Sequence, residues 1–339
     1  MNNDNRLDGL IRKKIDIFCC PKCTQKLSVD GESLVCQSCT QQFNTSNDIP
    51  QLFIPTDWRN SKEDVTEKIK DFYETTPFPN YDEFDDIASL RQKSRDGLFA
   101  KLLEEQIPMG YNILECGCGT GQLSNFLAVG NRSVFATDMC MNSLNLAHSF
   151  KLQNDIQNVA FVQMNLFRPC FAEGVFDLVV SNGVLHHTGN PHLGFETILK
   201  LVKPKGYIII GLYHKYGRVL TDIRRFIFNI TGDRFKILDS TVSKLTKTEA
   251  KKDAWFKDQY KNPHESKHTL MEVLQWLDNS GVTFVKSIPK TVLFEYLTED
   301  TRLFEPEGEY DKFELRVVEL GMLANPKEGG FFIVIGQKN

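Results

Sequence analysis

Four cysteines stand in two pairs, Cys20-Pro-Lys-Cys23 and Cys36-Gln-Ser-Cys39, joined by a short spacer with an Asp30-Gly31 turn between Leu27, Val29 and Leu34, Val35. That spacer reads as a hairpin between two knuckles. Each CxxC turn can bring two thiolates to one ion, and two turns close a tetrahedral shell with no position left for water. The chemistry expected is therefore a structural Zn2+ on Cys20, Cys23, Cys36 and Cys39 that staples a module too small to fold on its own core. Cys36→Ser is expected to unfold that module and leave the rest largely intact. Cys19 is out of register and is expected to be a packed thiol. Two histidine groups also carry chemistry: His186 and His187 in SNGVLHH, and His264 and His268 in DQYKNPHESKH, which adds Tyr260 and Glu265. Their spacing is too uneven, with Pro263 between, for a metal site.

The stretch NILECGCGTG at 112–121 is a glycine turn after an apolar strand. A dinucleotide fingerprint spaces its glycines G-x-G-x-x-G, whereas Gly117, Gly119 and Gly121 run G-x-G-x-G behind the acidic Glu115. A carboxylate there repels a pyrophosphate and suits an ammonium or sulfonium. A nucleotide-hydrolase loop would end in GK[ST], and Gln122 stands where its Lys would be. The second strand ends in Asp138, which can accept from both ribose hydroxyls. A ligand with a cationic amino acid at one end and a ribose at the other satisfies both features. Cys116 and Cys118 read as small fillers of this loop rather than reactive thiols.

The elements that must position these residues begin at 112. Apolar strands at Asn112–Cys116, Ser133–Thr137, Val159–Met164, Asp177–Ser181 and Tyr207–Leu212 alternate with helical patterns, which predicts a parallel sheet covered on both faces. After an insertion, a helix at Thr269–Asn279 has a Thr269/Glu272 capping box and Gly281 as its stop, and strands follow at Val282–Ile288 and Phe331–Gly336. The fold class expected is α/β: a Rossmann-like, seven-stranded, mostly parallel sheet with helices on both faces, plus a small N-terminal zinc ribbon. The boundaries read as a ribbon at 1–55, a helical linker with an aromatic loop at 56–110, a cofactor-binding core at 111–212, a helical basic insertion at 213–268, and completion of the fold at 269–339. The formal net charge of −4 steers the chain toward neither nucleic acid nor an anionic membrane. With no export signal read at its start and no run of the roughly 18 apolar residues a span needs, a reducing cytoplasm and no membrane are expected.

The run ILECGCGTG, followed by VFATD, VQMNL and FDLVVSNGVLHH, resembles the class I S-adenosylmethionine-dependent methyltransferases. The resemblance implies that Glu115, Gly117, Gly119 and Gly121 pass under the methionine moiety of S-adenosylmethionine and that Asp138 and Met139 hold the ribose. It places Asn165 and Leu166 beside the adenine, and Asn182 and Val184 before the reacting methyl. The third-strand position is often acidic in that family, and here Asn165 can meet the adenine amino group through its amide oxygen. The two knuckles with QQFNTSNDIPQLF are similar to the small zinc-ribbon activator subunit of several RNA and protein methyltransferases, here fused in cis. Zinc ribbon before methyltransferase also occurs in a ribosomal RNA guanine methyltransferase family. SNGVLHH is closer to wobble-uridine carboxyl methyltransferases and ubiquinone-pathway methyltransferases. An NPPY-type motif for exocyclic base nitrogens is lacking.

The insertion at 213–268 carries 13 Lys and Arg against 7 Asp and Glu, net +6, leaving the remainder at −10 (−4 less +6). In VLTDIRRFIFN, Val219, Leu220, Ile223, Phe226 and Ile227 share one helical face with Arg224 and Arg225 opposite, which reads as a lid helix or as a solvated basic face. The aromatics Phe72, Tyr73, Phe78, Tyr81 and Phe84 line a pocket or pin their loop to the domain below. The expected activity is methylation of an anionic small or medium-sized metabolite at oxygen or nitrogen. The alternatives are an RNA methyltransferase docking through the ribbon and the insertion, and a non-catalytic methyltransferase-like partner subunit. Residues 1–60 carry 7 basic and 7 acidic side chains with no basic stripe, which counts against RNA. A sulfonium is already electrophilic, so catalysis needs an aligned acceptor and a base. The candidates are His187, His186, Tyr213, His264 and Tyr260, with Arg218 or Arg225 to hold an anionic group.

Overall fold

The computed structural model describes residues 7–56, 65–79, 81, 85–233, 249–308, 310–324 and 330–339. Phe84, the linker residues 57–64 and the insertion residues 234–248 lie outside these. In chain order the elements are α1 (Gly9–Lys13), β1 (Leu27–Asp30), β2 (Ser33–Cys36), β3 (Gln42–Phe43), β4 (Thr45–Ser46), β5 (Ile49–Pro50), α2 (Thr66–Thr75), α3 (Ile87–Asp96), α4 (Leu98–Gln106), β6 (Asn112–Cys116), α5 (Gln122–Ala128) and β7 (Ser133–Asp138). They continue with α6 (Met141–Gln153), β8 (Val159–Gln163), β9 (Phe176–Asn182), α7 (Pro191–Leu199), β10 (Val202–Tyr213), α8 (Val219–Thr231), α9 (Glu249–Lys261), α10 (Leu270–Asn279), β11 (Val282–Ile288), α11 (Lys312–Ala324) and β12 (Phe331–Lys338).

The main sheet has seven strands in the order β11-β12-β10-β9-β6-β7-β8, in which β12 runs antiparallel to both neighbours and the pairings from β10 to β8 are parallel. The central strands read as unbroken apolar runs because both faces are covered. Two buried clusters result, one around Leu114, Phe135, Val179 and Ile210 and one around Ile113, Val134, Leu178 and Ile209. The strand order reverses between β6 and β9, so the crevice at their carboxyl ends is where such a sheet gathers a ligand. This is the expected Rossmann-like α/β fold. The fifth strand starts earlier than its apolar run, at Val202, because a register shift between Val202 and Tyr207 carries Lys203-Pro204-Lys205 along the edge of the pairing.

The cysteine module pairs β1 with β2 and β2 with β3, with Gly31 at φ +60° in the hairpin turn. It is not separate from the sheet. Phe18 packs on Phe171 and Phe135 at centroid distances of 4.8 and 5.7 Å, Cys19 N donates to Cys170 O at 2.9 Å, and Leu52 N donates to Gln163 O at 2.9 Å beside a parallel bridge from Gln51 to Gln163. The tail of the module thus covers the edge strand β8, which would otherwise present unpaired backbone groups. The buried Lys151–Asp8 ion pair adds a further tie. Among the described residues no helix is long and apolar enough to cross a membrane.

Candidate active site

A cavity of about 380 Å³ opens at the carboxyl ends of β6, β7, β9 and β10. Its floor is the glycine turn. Gly117, Gly119 and Gly121 have φ of +78°, +51° and +71°, which L side chains adopt at a cost. A Cβ on Gly117 would lie 2.3 Å from Val184 Cγ2, and one on Gly119 would lie 2.4 Å from the carbonyl oxygen of Phe78. Gly119 is therefore bare so that the loop between α2 and α3 can close over it, and Thr120 Oγ1 fastens that loop by donating to Pro79 O. Gly121 does not line the cavity: a Cβ there would meet Ala147 and Phe161, so it serves the seat of α5 on the core.

Glu115, Gly117, Gly119, Asp138, Met139, Asn165, Leu166, Asn182 and Val184 all border the cavity. Asp138 is aimed by its neighbours, accepting from Gly119 N and Cys140 N at 2.9 Å each. Glu115 accepts from Ser124 Oγ, and its burial pushes its carboxyl up to about 8, with the Asp138 charge adding to the effect. Asn165 Nδ2 donates to Ile54 O at 2.9 Å and Thr56 Oγ1 at 2.8 Å, while Oδ1 accepts from Phe167 N at 3.0 Å. Ribbon tail and third-strand loop thus share this residue. Burial pushes the Cys116 thiol up to about 12 and the Cys118 thiol well above its ordinary value, so both stay protonated.

The roof comes from α2, β10 and the insertion. Tyr73, Phe78, His187, Thr188, Tyr213, Asp258, Gln259 and Phe331 all line it. Tyr73 and Phe78 face the cavity, whereas Tyr81 stacks on Phe150 at 4.2 Å and accepts from Asn125 Nδ2 at 3.2 Å, so the aromatic loop does both things expected of it. Glu74 closes α2 down by accepting from Met141 N at 3.0 Å and Asn142 N at 3.2 Å, the first backbone donors of α6. His187 Nδ1 lies 2.8 Å from His264 O; a carbonyl only accepts, so Nδ1 carries the proton and Nε2 the lone pair. Burial holds the His187 imidazole below its ordinary value, which keeps it neutral.

The other candidates lie elsewhere. His186 is buried behind Tyr213, 4.3 Å between ring centroids, with both ring nitrogens lacking a hydrogen-bond partner. His264 is in the second layer, its Nε2 3.1 Å from Thr188 O, and it acts on the cavity through its carbonyl. Tyr260 packs against Phe228 and Phe256 in a small core of the insertion rather than at the cavity. Arg218 and Arg225 are not open to an anion. Arg218 lies over the Tyr213 ring with Cζ at 3.8 Å, and both donate to Glu265, Arg218 Nη2 at 2.6 Å and Arg225 Nη2 at 2.9 Å. That buried ion group also explains why α8 sits opposite to its predicted face. Phe228, Thr221 and the Arg225 guanidinium turn inward, while Ile223 and Phe226 are 51% and 66% exposed. His268 pairs with Glu272 at 2.9 Å, which draws the Glu272 side chain away from the capping box.

Among the described residues the one group of metal-ligating side chains is Cys20, Cys23, Cys36 and Cys39, whose sulfurs lie within 4.8 Å of one another. Cys20 and Cys39 are 3.7 Å apart and Cys23 and Cys36 3.4 Å. A tetrahedral ion at ~2.3 Å from each sulfur needs sulfur separations of about 3.8 Å, so the donor set fits zinc. Cys19 Sγ lies 3.9 Å from Pro169 O and is packed.

Sequence reasoning missed Thr188 and Phe331, and it passed over Asp258 and Gln259 at the head of DQYKNPHESKH in favour of the histidines that follow. Residues 108–275, just under half of the chain, match a family model described as a methyltransferase domain. An uncharacterized protein of Synechococcus is 26% identical over 198 residues, 51% of this chain and 47% of its own length. The mitochondrial ubiquinone biosynthesis O-methyltransferase of Dictyostelium discoideum is 31% identical over 116 residues, 31% of this chain and 36% of that one. The chain thus spans about half or less of the length of these curated relatives. Among solved structures, magnesium protoporphyrin IX methyltransferase from Synechocystis with bound SAM is similar over 83% of this chain and all of that one, at 14% identity and a TM-score of 0.47.

Proposed function

We propose that this chain, whose central segment is a methyltransferase domain, transfers the methyl group of S-adenosylmethionine to a small or medium-sized metabolite. The observation that carries the reading is one cavity lined both by a glycine turn with Glu115 and Asp138 and by a neutral, oriented His187. S-adenosylmethionine, when bound, supplies a methyl group already activated by its sulfonium. Glu115 and the bare turn at Gly117 suit its cationic methionine end, Asp138 and Met139 its ribose, and Asn165 and Leu166 its adenine. Asn182 and Val184 then border the reacting methyl. His187 supplies the base, and Tyr213 and Tyr73 close the acceptor side against water.

A metabolite is favoured over RNA because the described cations of the insertion are largely matched. Arg218 and Arg225 serve Glu265, Lys267 binds Asp222 at 2.5 Å, Lys261 binds Asp233 at 2.8 Å, and Lys257 and Lys252 each pair within α9. The same pairing withdraws the support for an anionic acceptor. Zinc on the four cysteines would supply folding energy to the ribbon, since the thiolates converge only in the folded chain. The test is incubation of the protein with methyl-labelled S-adenosylmethionine and cell extract. Label in the small-molecule fraction is the expected result, label in RNA favours the docking alternative, and calorimetry without S-adenosylmethionine binding overturns the reading. Metal analysis near one zinc per chain is expected, and a value well below that removes the zinc.

A further inference from the structure

The acid in the cavity roof has no part in the residues assigned above. Asp258 on α9 is 4% exposed and borders the same cavity as His187. Its Oδ1 accepts from the Tyr73 hydroxyl at 2.8 Å and its Oδ2 from Gln259 Nε2 at 2.9 Å. Both donors are neutral, so they fix the carboxylate in place without cancelling its charge. The Arg218 guanidinium stands behind Gln259 and is committed to Glu265. Tyr73 links the acid to the base: its hydroxyl is on Asp258 and its ring stands edge-on to the His187 imidazole, 6.2 Å between centroids.

Resting on the methyl transfer proposed above, we infer that Asp258 is a positioning residue that supports His187 as proton acceptor, and that the pair selects an acceptor whose reacting group is an uncharged hydroxyl. The hydroxyl proton moves to His187 Nε2 as an oxygen lone pair forms the new bond to the methyl carbon. The electron pair of the broken carbon–sulfur bond returns to sulfur, leaving a neutral thioether, a methyl ether and an imidazolium. Positive charge has moved from sulfonium to imidazolium, and the carboxylate that receives it is Asp258. Water later takes the proton. A carboxylate acceptor needs no base, and it would enter a cavity bordered by Glu115, Asp138 and Asp258 with no Lys or Arg among its described lining residues. An amine can shed its proton after transfer, so a neutral imidazole built into the wall points to the weaker nucleophile, a hydroxyl.

The charged and titratable groups facing His187 are Asp258 from α9, Tyr73 from α2, Tyr213 from β10, His186 beside it, and His264, Glu265 and Arg218 from the insertion. Burial lowers the imidazole and the Asp258 charge raises it again. Removing that charge should lower it further. The experiment uses the full chain as wild type, Asp258→Asn and Tyr73→Phe, with melting curves, calorimetry with S-adenosylmethionine, and methyl-labelled S-adenosylmethionine with the small-molecule fraction of a cell extract. Expected is an alkali-stable labelled product retained by neither anion nor cation exchanger. Asp258→Asn should lower turnover by about tenfold or more, shift the acid limb of the pH profile to lower pH, and leave cofactor affinity unchanged. Tyr73→Phe should shift the limb the same way and less, which keeps the test alive if Asp258→Asn fails to fold. An alkali-labile methyl ester, a labelled amine, or Asp258→Asn with the wild-type rate and pH profile overturns the inference. Cofactor binding without labelled small molecule also overturns it, whereas no cofactor binding by the wild type sinks the methyl-transfer reading instead.

Discussion

Glu115 should release a proton when the cofactor binds. Its carboxyl is fully enclosed at the end of β6, its hydrogen-bond donor Ser124 is neutral, and burial with the nearby Asp138 holds it at about 8. At pH 7 a group at about 8 is protonated in roughly 0.9 of molecules. A cation placed within reach favours the carboxylate and lowers such a group by about 1–3 units. The bound state then keeps between about 0.5 and 0.01 proton on Glu115, so binding at pH 7 should release roughly 0.4–0.9 proton. Calorimetry at pH 7 in two buffers of different ionisation enthalpy reads that number from the difference in observed heat. The sign follows from linkage: a proton released on binding makes affinity rise with pH, here between about pH 6 and 8. The amino group of S-adenosylmethionine titrates nearby, so the informative quantity is wild type minus Glu115→Gln, in which only the carboxyl is lost. If both proteins give the same buffer-independent heat and parallel affinity curves over that range, Glu115 faces no cation and the assignment of the methionine end is wrong.

Asp138→Ala should weaken S-adenosylmethionine binding by about 1.5–3 kcal/mol, the cost of losing charged hydrogen bonds, read by calorimetry. Phe228→Ala should destabilise the chain by about 3–5 kcal/mol while Phe226→Ala stays within about 0.5; equal melting shifts would show that α8 packs by its other face. The buried His148 is lowered to about 4 by burial and Lys151, so its unfolded form takes the proton first as pH falls through the ordinary 6.5. Wild type should therefore lose stability relative to His148→Asn between pH 6.5 and about 4, and parallel melting curves would refute this. Cys36→Ser should lose the metal and, through Asn165, weaken cofactor binding severalfold, with fully retained affinity as the refuting result.

The strands of the sheet were legible because each is short, apolar and bounded by turn residues, so β6 and β11 match their predicted spans and β7, β8 and β9 differ by a residue at their ends. The glycine turn was legible because Gly117, Gly119 and Gly121 follow an apolar strand at a spacing unlike that of a dinucleotide fingerprint, and all three take left-handed φ. The roof was not. Asp258 lies in DAWFKDQYKN, where it reads as one more charge on a solvated helix, and only the long-range approach of Tyr73 makes it a cavity residue. The face of α8 was misjudged for a related reason: an apolar stripe is presumed to turn inward, yet the buried ion group at Glu265 and the Phe228 core hold the opposite face. Gly121 fell to a packing role because spacing alone cannot tell a ligand's approach from that of Phe161.

The cysteine module meets the cavity wall through packing and hydrogen bonds rather than charge. The tail of the module runs along β8 and supplies the carbonyl of Ile54 and the hydroxyl of Thr56 that hold the Asn165 amide. The rings of Phe18, Phe135, Phe171 and Phe176 pack in one continuous set across the boundary. A module sharing its core with the sheet cannot unfold without exposing the faces of β7 and β9, so the sequence-based expectation of an independent ribbon does not hold energetically. Asn165 borders the cavity just after β8, and both of its amide hydrogens are directed by residues downstream of the clustered cysteines. A continuous path of backbone pairing and hydrogen bonds thus joins the segment after the clustered cysteines to a residue that borders the cavity.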